Sequence, residues 1–206
     1  MPFSTTAQDQ MLDSLNGGSP SSIIAYASLH SAYSSSGSNE LTGGSPSYAR
    51  QAVTWSSAGS GSKVSASVAG NFNVPAGSTV AFVGLWSASS SGTFAGMGPN
   101  GGATQYAYTG TNASPCVFTA PGSSYSNGNT VVLLPAAGAT IPTGFTAGTV
   151  YYVVSASGVT FELSATSGGS AINSSAAGAG LVQAITAEVF NGQGLFTLSS
   201  ETLSVT

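Results

Sequence analysis

The sequence predicts an all-β protein: an antiparallel β-sandwich with a short N-terminal helix and an inserted small β-module. Three observations carry this expectation. Hydrophobic residues make up 41% of the 206 positions and charged residues only 4%, against an average of roughly 25% charged, so a core is available and the surface is built from hydroxyls and small residues. Short runs alternating apolar and polar residues recur along the chain, separated by Gly, Ser, Asn and Pro turn signals. Only one segment shows helical spacing.

That segment comes first. Thr5-Thr-Ala-Gln8 matches a capping box, Ala7, Met11, Leu12 and Leu15 form an apolar stripe, and Asn16-Gly17-Gly18 stops it. A helix is expected over residues 6–16. Asp9 and Asp13 lie four apart on its outer side, where a solvated face is favoured over a shared metal ion. Ile23 to Leu29 is β-prone and leads into His30, the sole histidine, read as a hydrogen-bonded structural residue. Gly43, Gly44 and Pro46 form a loop, after which Arg50, Ala52 and Thr54 alternate with Gln51, Val53 and Trp55 as a strand. Glu40 and Arg50 bracket this loop and are proposed as a structural pair. Two readings stay open: a partly buried pair pinning the loop to the sheet, or two solvated side chains worth only ~0–1 kcal/mol.

Val64, Ala66 and Val68 mark the next strand, with Lys63 placed to protect an edge from mispairing. Phe72 and Val74 continue the pattern. Residues 79–86 are apolar on both faces and read as the central strand, with Trp55 and Trp86 as the large core aromatics. Gly96-Met-Gly-Pro-Asn-Gly101 formally matches a dinucleotide fingerprint, but Pro99 and Gly102 oppose the helix it needs and no acid follows until Glu162. It is read as a glycine loop. Beyond it the texture changes. Thr130–Leu134 reads as a strand, and Val150–Val154 with Val159–Leu163 as a hairpin about Ser155–Gly158. Strands near 185–189, 195–198 and 202–206 close the chain. The expected domains are therefore a discontinuous sandwich, residues 1–110 plus 182–206, and an insert at 111–181.

Composition also limits chemistry. One Arg and one Lys against six acids give a net charge of −4, which excludes the counterion-displacing patch a nucleic-acid binder needs and any attraction to an anionic membrane. Cys116 is alone, so no intrachain disulfide or Cys-based metal site is expected, and it reads as a small buried hydrophobe. No apolar run is long enough to span a bilayer, and Met1-Pro-Phe-Ser4 lacks the features of a signal peptide. A serine triad lacks a spare base and a nucleophile elbow. The acids Glu40, Glu162, Glu188 and Glu201 are never close in sequence, so no glycosidase pair is legible. No catalytic, cofactor or metal residues are assigned, and an enzyme is not expected.

Two stretches carry a resemblance. "SLHSAYSSSGSNELTGGSPSYARQAVTW" and "AGSTVAFVGLWSASSSGTFAG" resemble a family of small β-rich virion proteins of tailed bacteriophages, described as tail-fibre-like, minor tail or capsid-decorating. The resemblance spans about residues 4–110 and resumes near 183; the serine run Ser34–Ser36 departs from it. "FTAPGSSYSNGNTVVLLP", "IPTGFTAGTVYYVVSASGVTFELSATSGG" and "INSSAAGAG" resemble a β-module of phage tail and fibre proteins. The resemblance implies a virion structural protein on the outer surface of the particle, made in the host cytoplasm. Capsid decoration is the first expectation and a tail-fibre or tail-tip component the alternative; a phage-borne glycan-active enzyme ranks last. Implied partners are phage capsid or tail proteins, further copies of the chain (a trimer favoured), and a host cell-surface glycan. Tyr125, Phe145, Tyr151 and Tyr152 are the candidate host-contact aromatics, with burial in the module's core as the competing reading.

Overall fold

The computed structural model describes residues 5–15, 23–60, 62–136 and 138–204. Among them are one helix and sixteen strands, in two compact units: residues 1–98 with 188–206, and residues 99–187.

The first unit holds α1 (Thr5–Ser14), β1 (Tyr26–His30), β2 (Gln51–Trp55), β3 (Ser62–Val68), β4 (Phe72–Val74), β5 (Ser78–Val80), β6 (Phe82–Trp86) and β7 (Phe94–Pro99). The second holds β8 (Gln105–Gly110), β9 (Phe118–Thr119), β10 (Thr130–Leu134), β11 (Val150–Ser157), β12 (Thr160–Ser164) and β13 (Gly178–Ala184). The chain then returns to the first unit as β14 (Glu188–Phe190), β15 (Gly194–Phe196) and β16 (Thr202–Ser204).

In the first unit a six-stranded sheet runs β16-β3-β2-β1-β6-β7, with two-stranded ribbons β14-β5 and β15-β4. Period-two alternation divides each central strand between two faces. Ala27 and Leu29 of β1, Val53 and Trp55 of β2, and Val83 and Leu85 of β6 pack with Phe72, Val74, Val80 and Phe196 from the ribbons. This is the two-layer antiparallel sandwich the sequence predicts. Each fully buried Phe or Leu here contributes about 1.5–3 kcal/mol. The central 79–86 segment is two strands: β5 and β6 are divided at Ala81, whose N–H donates to His30 O at 2.9 Å. Lys63 does not lie on an edge strand, because β3 pairs with β2 on one side and β16 on the other. The helix starts and stops near its expected bounds, although Asn16 to Gly18 lie outside the described residues. Leu12 is buried and Leu15 packs on the core, but Met11 is exposed. Asp13 Oδ1 accepts from Ala58 N–H at 2.8 Å, which ties the helix to the turn before β3.

The second unit is a closed six-stranded barrel, β10-β11-β12-β9-β8-β13, with β13 completing the ring onto β10. Its boundaries differ from the expected 111–181. β8 pairs with β13 over six positions, from Gly178↔Gly110 to Gln183↔Gln105, so both strands belong to the barrel. The hairpin turn also moves. Ser157 pairs with Thr160, leaving Gly158-Val159 as the loop, and the register shift between Val154 and Ser157 absorbs the extra residues. Gly96 and Gly98, expected in a glycine loop, lie in β7, with the turn following at Asn100–Gly101.

Candidate functional site

The most organised polar region of the first unit lies where β2 leaves β1. Only Tyr26 and Ala27 of β1 pair with β2; beyond them the loop 31–50 takes over. Ser31 N–H donates to Asn39 O and Leu41 N–H donates to Leu29 O, both at 3.0 Å, and His30 bridges Glu40. The loop therefore acts as a partial strand for the second half of β1.

Side chains lock it there. Arg50 makes a two-pronged contact with Glu40, from Nε to Oε1 at 2.8 Å and from NH2 to Oε2 at 2.7 Å. The guanidinium lies 3.6 Å over the Trp86 ring, and its NH1 donates to Ala88 O at 3.0 Å and Ser91 O at 2.7 Å. The Tyr48 hydroxyl donates to Glu40 Oε1 at 3.2 Å and accepts from Leu29 N–H at 2.8 Å; burial pushes its pKa well above the ordinary tyrosine value. Side-chain exposure is 9% for Arg50 and 18% for Glu40. Of the two open readings, the geometry is that of the partly buried pair. It joins the 31–50 loop, the 87–93 loop and the sheet.

Beneath it, the second face of the central strands is also buried. Trp86 Nε1–H donates to Ser28 Oγ at 2.9 Å, and Ser28 Oγ lies 2.7 Å from His30 Nε2. His30 Nδ1 lies 2.8 Å from Ser38 O. A carbonyl only accepts, so the proton is assigned to Nδ1; Nε2 then accepts from the serine, and the imidazole is neutral. Burial lowers its pKa, and the Arg50 charge adds to this against the opposing Ser38 bond and Glu40 charge. A Cβ on Gly84 would lie 2.6 Å from both His30 Nε2 and Ser28 Oγ, and a Cβ on Gly37 would run into the Trp86 ring. Glycine is required at both places for the layers to meet.

A shallow, open depression of about 320 Å³ lies over this clamp, lined in part by Glu40, Thr42, Tyr48, Arg50 and Ser89. Its charged groups are already engaged with each other and with backbone, which leaves little hydrogen-bonding capacity for a ligand. The arrangement is suited to holding two loops rigidly.

The other predicted residues separate by environment. Trp55 and Trp86 are buried; Trp55 Nε1–H donates to Ile24 O at 2.7 Å. The four candidate host-contact aromatics do not form an exposed cluster. Phe145 and Tyr151 are buried in the barrel core, where Phe145 meets Phe118 and Tyr151 edge-on. Tyr125 is partly buried, edge-on to Phe161. Tyr152 alone faces outward on β11, half-buried. Their alternation along the strand is the cause: Tyr151 and Val153 point inward, so Tyr152 points out. Cys116 is buried in the same core.

His30 as the hub beneath the clamp was not assigned in the sequence as a site residue. A lone His beside an alternating serine, opposite a glycine in an otherwise apolar strand, is the signal that could have found it.

Neither the curated proteins nor the solved structures compared with the chain gave a match. A family model does: Podophage GP4 fiber I protein gp80 matches residues 2–111. That stretch contains β1 to β7, the Arg50 clamp and the first barrel strand, and it is more than half of the 206 residues. The chain belongs to this family of phage fibre proteins and is thereby a structural component of the virion.

Proposed function

We propose that the chain is a non-enzymatic component of a phage tail fibre, in which the sandwich unit is the part docked to other virion proteins and the barrel is an appended, outward-facing module. The observation that carries this reading is the family match over residues 2–111 to a fibre protein, which favours a fibre over capsid decoration. The clamp supports the structural role: Arg50 and Glu40 spend their charge on fixing loops. Assembly as a homo-oligomer, a trimer first, follows from the cyclic symmetry that repeated attachment sites favour. A host-surface glycan is the partner proposed for the barrel. Phe145 and Tyr151 are withdrawn from that contact by burial, so it falls to Tyr152 and the hydroxyl-rich loops.

Fractionation of disrupted virions tests the placement. Immunoblotting is expected to find the chain with tails and fibres. Recovery with emptied capsids, at a copy number scaling with the shell, would instead establish capsid decoration.

A further inference from the structure

Asparagine is followed by glycine at 16–17, 100–101, 127–128 and 191–192. In such a pair the glycine nitrogen can attack the asparagine side-chain carbonyl carbon, because glycine carries no side chain to obstruct the approach. The attack needs a nitrogen and a side chain that hydrogen bonds do not hold elsewhere. Asn16-Gly17 lies outside the described residues; the fold separates the other pairs. At Asn127-Gly128 both groups are held: Ala156 N–H donates to Asn127 Oδ1 at 2.8 Å, and Gly128 N–H donates to Val153 O at 2.8 Å. At Asn100-Gly101, Asn100 Nδ2 donates to Thr186 O and Asn100 O accepts from Thr186 N–H, both at 2.9 Å. A Cβ on Gly101 would lie 2.8 Å from Thr186 Oγ1, so this turn is also crowded. Asn191-Gly192 differs. It sits in the turn between β14 and β15 with both residues exposed, and open space surrounds the place of a Gly192 Cβ. Neither the Asn191 side chain nor Gly192 N–H has a hydrogen-bond partner among the described residues.

We propose that Asn191 is a self-modification site, converted by its neighbour and water to aspartate and isoaspartate, and that the isoaspartate form releases the 43–47 loop. The Gly192 nitrogen bonds to Asn191 Cγ and gives up its proton, the Cγ–Nδ2 bond breaks, and ammonia leaves with that proton. Water then opens the cyclic imide at one of its two C–N bonds. Opening at Cγ gives aspartate; opening at the backbone carbonyl gives isoaspartate, which routes the main chain through the side chain and lengthens it by one carbon. Gln193 follows closely. Its Oε1 accepts from Ser45 N–H at 3.2 Å and its Nε2 donates to Pro46 O at 3.1 Å, and a Cβ on Gly44 would come within 2.8 Å of Oε1. A longer main chain just before Gln193 displaces this two-pronged amide from the loop that leads to Tyr48 and Arg50.

Peptide mapping by mass spectrometry after warm incubation at mildly alkaline pH is the test. In the folded protein Asn191 is expected to gain the mass of conversion several-fold faster than Asn100 or Asn127. In denaturant, where the bonds that hold the other two are gone, that lead is expected to collapse. Gly192→Ala, whose methyl meets nothing within 4 Å, is expected to keep the wild-type unfolding curve and to stop most of the conversion. Exchange of the Ser45 amide, read by NMR on the separated isoaspartate form, is expected to rise several-fold. Folded-state conversion led by Asn100 or Asn127, or a lead for Asn191 that persists in denaturant, would overturn the site. Unchanged Ser45 exchange in the isoaspartate form would overturn the release of the loop.

Discussion

At the scale of single residues, a few side chains fix the geometry of the first unit. Arg50 joins Glu40, Trp86 and two backbone carbonyls, so Arg50→Ala removes a fork, a stack and two loop contacts and strands a poorly exposed carboxylate. The expected loss is about 3–5 kcal/mol in denaturant unfolding. Arg50→Lys is expected to recover only part of it, because an ammonium cannot reproduce the planar fork. Gly84→Ala places a methyl against His30 and Ser28 and should cost about 1–3 kcal/mol. His30 adds a pH dependence. Its folded pKa lies below the ordinary 6.5, so the unfolded chain binds the proton more readily, and stability falls as pH drops below about 6.5. Protonation at Nε2 would also remove the acceptor that Ser28 uses. A His30→Gln variant is expected to be less stable at neutral pH and to lose this acid sensitivity, as read from unfolding curves at several pH values.

At the scale of elements, alternation made most strands legible. β2, β4 and β12 fall where apolar and polar residues alternate between turn signals, and β10 where a short apolar run ends at Pro135. The strands the sequence hid include β8, β9 and β13. β13 begins Gly-Ala-Gly, a composition that reads as loop. Its glycines are steric necessities: a Cβ on Gly178 would collide with Pro142, and one on Gly180 would come within 2.7 Å of Leu134 O. β8 does alternate, with Tyr106 and Tyr108 inward, but only its pairing with β13 shows that it belongs to the barrel. The Arg50–Glu40 pair was legible because charge is so rare here; its Tyr48 and Trp86 partners come from folding and leave no local signature.

Two element-scale predictions follow from the barrel. Replacing residues 99–187 with a short Gly-Ser linker is expected to leave a cooperative sandwich by circular dichroism and calorimetry. Replacing only 112–180 is expected to be worse, since β8 and the rest of β13 would remain paired only with each other, without β9 and β10. The Tyr108 hydroxyl is buried with no hydrogen-bond partner among the described residues, and burial pushes its pKa up to about 12. Tyr108→Phe removes an unsatisfied polar atom and keeps the ring against Phe118; it is expected to be neutral or stabilising by up to about 1 kcal/mol. A clear loss of stability would show that the hydroxyl has a partner.

At the scale of the whole molecule, scarcity of charge is the governing property. With eight Asp, Glu, Lys and Arg residues in total, apolar burial and neutral hydrogen bonds must provide both stability and attachment, and salt screens these little. The melting temperature is expected to move only a few degrees between about 50 mM and about 1 M sodium chloride, and particle attachment to survive the change. A steep loss of attachment with salt would mean that the interface gathers the few charges present.

Family membership through residues 2–111 places the chain in the virion, and its assignment to a fibre is the claim on which the rest depends. Imaging intact particles with gold-labelled antibody against the exposed Gly158-Val159 turn of the barrel tests that claim most directly. The account predicts gold at the tail fibres, at a few sites per particle consistent with small cyclic oligomers. Gold distributed over the capsid shell would contradict it.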